Sequence, residues 1–128
     1  METYSFTIQG RLDGLNDYTK ENRRNRYAGN KMKHKNELMV QEGIIQGLRD
    51  KTLKNISDYP ISLHITWYEP NRRRDIDNIT FATKFILDSL SSYGVIIDDS
   101  QKFINSISHD VLVSKDNPRI EVSIHGQE

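Results

Sequence analysis

Three stretches hold the densest chemistry in this 128-residue chain: Arg72-Arg73-Arg74, Asp75-Ile76-Asp77-Asn78 and, about twenty residues later, Asp98-Asp99-Ser100-Gln101. Acids at i and i+2 share a side only in an extended segment, because in mid-helix they stand about 200° apart. Asp75 and Asp77 are therefore expected in a strand-to-helix connection, ahead of the first turn. A third carboxylate, from Asp98 or Asp99 at the end of the next extended run, can join them. Carboxylate clusters of this kind hold Mg²⁺ or Mn²⁺, hard cations that take oxygen ligands, for phosphodiester chemistry. Adjacent residues of an extended segment point to opposite faces, so only one of Asp98 and Asp99 is expected to touch the ion.

Each acid also has a plainer reading. Asp77 or Asn78 can cap a helix starting near Ile79, and Asp98-Asp99 can be an ordinary turn before a strand. Lys84, seven residues after Asp77 and about two helical turns on, can stabilise charge building on a phosphate; it can equally be a surface lysine supporting Asp88 at i+4. A calcium-loop reading fails, because Ile79, Thr80 and Ile86 stand where that loop needs Asp or Asn, Gly and Glu. His34, His64, His109 and His125 show no metal-ligand spacing. There is no phosphate-binding glycine loop and no nucleophile elbow.

The net charge is zero, with 18 basic and 18 acidic residues. That balance hides a polarity. Lys20 to Lys54 carries ten Lys or Arg against four acids, and the rest of the chain compensates with an acidic half beginning at Asp75. Such a division suits a protein that holds a polyanion on one surface and metal cations on another, although a basic run can also merely solvate a helix. The length fits a single domain over 1–128. No apolar run is long enough for a membrane span, no secretory signal is visible, and the absence of cysteine excludes disulfides and thiolate zinc sites; a cytoplasmic protein is expected.

The elements that must position these residues follow from periodicity. Tyr4, Phe6 and Ile8 alternate with Ser5 and Thr7, which predicts a strand over 3–9, and Ile61, Leu63, Ile65 and Trp67 alternate just as clearly. Residues 10–30, rich in Gly, Asn and charge, predict a long loop or basic arm. A helix is expected from about Lys31 to Leu53, with Leu38, Val40, Ile44, Ile45 and Leu48 at helical spacing, and a second from Ile79 to Leu90, closed by Gly94. Val95–Ile97 predicts a short strand, with two more near 103–113 and 119–125. The sum is an α+β domain, a small mixed β-sheet with two main helices packed on one face.

Arg73-Arg-Asp-Ile-Asp-Asn78, Lys84-Phe-Ile-Leu-Asp-Ser-Leu90, Tyr93-Gly94-Val95 and Ile97-Asp-Asp-Ser-Gln101 together resemble the motifs of the RusA-like Holliday junction resolvases. The motif resemblance covers about residues 72 to 102, and the earlier elements agree in order and character. Members of that family are small homodimeric, magnesium-dependent endonucleases of bacteria and their prophages that cut four-way DNA junctions. The resemblance implies that Asp75, Asp77 and Asp99 are metal ligands, with Asp98 in support. The family lysine falls on Lys84 when the helix is aligned from its Asp-x-Leu end, and on Phe81 when it is counted from the Asp-Asn end, because about three extra residues separate the two blocks.

The arginines 72–74 and the segment bearing Arg23, Arg24, Arg26, Lys31, Lys33 and Lys35 would contact phosphates, which positions DNA without reading its sequence. The resulting expectation is a Mg²⁺-dependent endodeoxyribonuclease, with Mn²⁺ a possible substitute, that cuts branched DNA as a homodimer. Its rivals are a junction- or single-strand-binding accessory protein that does not cleave, and a metal-dependent nuclease less selective for structure.

Overall fold

The computed structural model describes residues 2–126. The elements run β1 (Thr3–Gln9), α1 (Leu15–Arg24), α2 (Arg26–Asp50), β2 (Ile61–Glu69), α3 (Ile76–Thr80), α4 (Thr83–Ser92), β3 (Ile104–Val113) and β4 (Arg119–His125). The four strands form one mixed sheet in the order β1-β4-β2-β3, in which β2 and β3 are parallel and the other neighbours antiparallel. This is the expected α+β arrangement. No helix among the described residues is long and apolar enough to cross a membrane.

One face of the sheet makes the core. Ile61, Leu63, Ile65 and Trp67 of β2 lie beside Phe6 and Ile8 of β1 and Ile120, Val122 and Ile124 of β4, all buried. Val40 and Ile44 of α2 and Phe85, Ile86 and Leu90 of α4 close over them. The alternation that predicted the strands is thus the division between this face and a polar one carrying Ser62, His64, Thr66 and Tyr68. Gly43 and Gly47, unfavourable inside a helix by propensity, let α2 lie directly on β1. A Cβ on Gly43 would stand 2.5 Å from the Thr7 carbonyl oxygen, and one on Gly47 3.0 Å from the Phe6 Cβ.

Three local expectations are corrected. Residues 10–30 are not a loop: α1 fills 15–24, and α2 begins at Arg26, five residues before its expected start. Of the glycines and asparagines that signalled a loop, Gly14 and Asn25 are helix caps. Gly14 is the N-cap of α1, its N–H donating to Asp17 Oδ2 at 3.0 Å, and Asn25 caps α2 by accepting the Ala28 N–H at 2.7 Å. α1 buries no residue fully; Tyr18 holds it to the core, 5.4 Å from the Phe81 ring and 6.3 Å from that of Phe85.

The second helix starts at Ile76 rather than Ile79 and is divided into α3 and α4 by a tighter turn at Phe81-Ala82. Val95–Ile97 is no strand. After Gly94, at φ 72°, the Val95 and Ile96 N–H groups both donate back to the Leu90 carbonyl, which folds the apolar run onto the helix end and buries Val95 and Ile96.

Candidate active site

The site is built at the C-terminal end of β2. Glu69 falls at an inward-facing position of that strand and is 3% exposed, a charge where the pattern calls for an apolar residue. Arg74 compensates it through a two-pronged contact, Nε to Oε1 at 2.9 Å and Nη2 to Oε2 at 2.8 Å, while Arg11 Nη2 donates to Oε1 at 2.9 Å. Burial by itself would raise the Glu69 pKa, but the hydrogen bonds and charges of Arg74 and Arg11 prevail and hold it below its ordinary value. Arg74 also donates Nη1 to the Leu12 carbonyl at 3.1 Å. The segment after β2 is thereby fastened to both the strand and the chain ahead of α1.

This clamp fixes where Asp75 and Asp77 stand. Asp75 is the N-cap of α3, extended at φ −70°, ψ 155°, and its carboxylate makes no capping hydrogen bond; Asp77 lies in the first turn. The two are therefore not the neighbouring residues of one extended segment that their i, i+2 spacing implied. A helix start brings them together instead, because its first residue already turns the chain. Both are exposed, and both line a groove of about 550 Å³ with Arg72, Arg74, Ile76 and, across from them, Val111–Val113 at the end of β3. Neither forms an ion pair among the described residues. Hard oxygen donors without an ion-pair partner, set beside arginine, would suit a divalent cation.

Behind them, buried Asn78 accepts the Asn16 N–H on Oδ1 at 2.9 Å, tying α3 to α1, and its own N–H donates to Asp77 Oδ1 at 3.0 Å. Asn78 is thus a positioning residue between the two helices. Sequence reasoning missed Glu69 and Arg11. The parity of β2 carried a signal for Glu69, since every second residue from Ile61 faces inward.

Asp98 and Asp99 do not join the pair within one chain. Just before them the Ile97 N–H donates to the Tyr59 hydroxyl at 3.1 Å, and just after them the Ile61 N–H donates to the Phe103 carbonyl at 2.8 Å. Both contacts lie at the N-terminal end of β2. The nine residues of β2 separate the two acidic pairs by roughly 26 Å, at about 3.3 Å per residue. Parallel pairing of β2 with β3 is the cause: α3 and α4 must carry the chain back to the strand's beginning before β3 can start. Accordingly, no group of three or more acidic or histidine side chains among the described residues is placed to hold a metal ion.

The basic residues divide. Arg72 lines the acidic groove and Arg73 faces a neighbouring one with Arg11, Asp13 and Asp17, whereas Arg74 spends its donors on Glu69 and Leu12. Lys84, in the first turn of α4, is 3.9 Å from Asp88 Oδ2 and does not line the acidic groove. Arg23 and Arg24 end α1, while Arg26, Lys31, Lys33 and Lys35 lie in the first three turns of α2. Arg24 pairs with Glu21 at 3.3 Å and Lys35 with Asp13 at 3.4 Å.

Comparison with known proteins adds an independent line. A search of curated proteins finds no match. The family model of the endodeoxyribonuclease RusA matches residues 18–125, which takes in α2, the clamp at the end of β2, both acidic pairs and the last two strands. The chain belongs to the RusA family of Holliday junction resolvases, endodeoxyribonucleases that hydrolyse DNA.

Proposed function

We propose that this protein resolves four-way DNA junctions by paired phosphodiester cleavage, as a homodimer whose metal sites are each completed by the second copy. The observation that carries this reading is the pair of unpaired carboxylates, Asp75 and Asp77, set beside Arg72 in an open groove, with the other acidic pair one strand length away in the same chain. Asp75 and Asp77 leave most of a Mg²⁺ shell to water and substrate phosphate, and the third carboxylate expected from Asp98-Asp99 is out of reach within one chain.

A two-fold axis removes the difficulty. β3 is an edge strand of the sheet, and Leu112 and Val113 near its end are exposed. Two copies meeting antiparallel along β3 set the start of one strand against the end of the other. Asp99 of the partner subunit, with Asp98 of the partner subunit in support, then approaches Asp75 and Asp77. Exposed apolar side chains flank both acidic pairs, Ile76 at 64% and Ile97 at 65%, as a contact buried only in the dimer would require.

In this arrangement Asp75, Asp77 and Asp99 hold Mg²⁺, or Mn²⁺ in its place. Bound there, a divalent cation supplies an activated water at neutral pH and neutralises charge on the scissile phosphate. Arg72 holds a phosphate oxygen at the groove. Lys84, whose contact with Asp88 is long and exposed, is free to exchange that partner for a phosphate and stabilise the charge developing there. Arg73 and the cations of α1 and α2 grip the backbone farther out.

The test is cleavage of a labelled four-way junction beside a matched linear duplex in Mg²⁺, for the wild type and Asp77→Asn. Paired nicks in the junction, lost in the variant while junction binding survives, support the reading. No cleavage by wild type in Mg²⁺ or Mn²⁺ despite tight binding contradicts it and favours an accessory protein; equal cutting of both substrates favours a less selective nuclease.

A further inference from the structure

The α1–α2 corner exposes a large aromatic that the fold does not use. Tyr27 is 75% exposed, the highest value among the large apolar side chains, and its hydroxyl has no hydrogen-bond partner among the described residues. Tyr18, nine residues earlier on the same helical pair, packs into the core, so aromatic character alone does not account for Tyr27. Around it lies a groove lined by Arg24, Lys31 and Lys35 with the single acid Glu21. Tyr27, Lys31 and Lys35 follow one another at i, i+4 and i+8, one face of α2, with about 6 Å of rise between successive members.

The corner that presents this ring is rigid. Asn25 holds the Ala28 N–H at 2.7 Å, and Gly29 is packed so closely on Asn22 that a Cβ would meet its Oδ1 at 2.5 Å. The backbone that carries the ring is therefore fixed before any ligand arrives, which confines the ordering cost of binding to the side chain itself.

The geometry points to Tyr27 as a stacking platform for an unstacked nucleobase, with Arg24, Lys31 and Lys35 holding the phosphates on either side of it. A flat aromatic within a cationic groove is the chemistry that receives bases not already stacked in a duplex. Bases of that kind occur at a branch point and are absent from a closed linear duplex, so the ring contributes to selection of branched DNA. Its place fits that use. α1 begins against α3 at the Asn16–Asn78 contact and runs ten residues, about 15 Å, to Arg24. α1 thus links the turn that bears Asp75 and Asp77 to the corner that bears Tyr27.

This inference rests on the branched-DNA reading and is tested apart from cleavage, in EDTA, with 2-aminopurine placed at the branch point of a four-way junction and a hairpin-closed linear duplex as control. Wild type is expected to quench the branch-point fluorescence. Tyr27→Ala should abolish the quenching and weaken junction binding about tenfold, with linear-duplex affinity changed less than about twofold, and Tyr27→Trp should restore both. Lys31→Ala, by contrast, should weaken both substrates alike and lower the salt dependence by about one ion.

Unchanged quenching and junction affinity in Tyr27→Ala would overturn the assignment. So would an equal loss on both DNAs, or a change confined to self-association by sedimentation, since each places the ring in a different contact. Failure of wild type to bind the junction at all would instead overturn the branched-DNA reading beneath it. Circular dichroism of each variant separates these results from misfolding.

Discussion

Arg74 and Glu69 form a two-pronged ion pair at 2.8 and 2.9 Å across the turn that joins β2 to α3, with the Glu69 carboxylate almost fully buried. The last arginine of the Arg72-Arg73-Arg74 run is thus structural, while neither of the other two forms an ion pair among the described residues. The same pair sets the position of Asp75, the next residue, at the mouth of the groove.

Removing one member leaves a buried charge without its partner. Arg74→Ala is expected to destabilise the fold by about 3 kcal/mol, as for other broken buried pairs, and to lower the melting temperature by roughly 10 °C. Arg72→Ala, on the exposed side of the same turn, should leave melting within about 1–2 °C and weaken junction binding. Calorimetry of both variants checks this; equal melting temperatures would show that the clamp contributes little.

The same carboxylate makes stability depend on pH, with a definite sign. Because the folded-state pKa of Glu69 lies below its ordinary value of 4.5, its contribution is fully present above that value and is lost as pH falls through the folded pKa. Urea midpoints measured from pH 6 down to pH 3 should fall more steeply for wild type than for Glu69→Gln, which has no such proton to bind. Parallel curves would exclude Glu69 as a source of the acid limb.

Lys84→Ala separates the lysine's structural and functional readings. Its contact with Asp88 is 3.9 Å long and half-exposed, so stability should change by less than about 0.5 kcal/mol. Junction cleavage should nonetheless drop about tenfold or more, with binding little affected. Unimpaired cleavage would remove Lys84 from the site.

Close packing of α2 on β1 gives a test of the scaffold itself. Gly43→Ala would place a methyl 2.5 Å from a backbone carbonyl oxygen, which only a shift of the helix can relieve, so a loss of about 1–3 kcal/mol is expected. A neutral outcome in denaturant melts would mean that α2 sits farther from the sheet.

What could be read in the sequence follows from how local each cause is. β2 and β4 were legible because one face of each meets the core, and a two-residue period records that directly. α1 was not, because its hold on the core is one ring, Tyr18, meeting Phe81 and Phe85 more than sixty residues away, while Gly14 and Asn25 look like loop residues and act as caps. The acids at 75 and 77 could be placed beside a helix start, but their distance from Asp98-Asp99 could not. That distance depends on β3 running parallel to β2, a pairing with no signature in either strand alone. Glu69 lay in plain view, an acid on the inward parity of a strand, and its partner Arg74 was hidden among three consecutive arginines of which one turns inward.

Completion of each site by the second copy is tested most directly by mixing two inactive variants. Asp77→Asn and Asp99→Asn should each fail to cut a four-way junction in Mg²⁺. After subunit exchange, the mixed dimers carry one intact site and one doubly altered site, so a 1:1 mixture should regain about a quarter of the wild-type sites and nick junctions on one strand. Persistent inactivity of the mixture, with exchange verified by differently tagged subunits, would contradict a site shared between copies and place all its ligands within one chain.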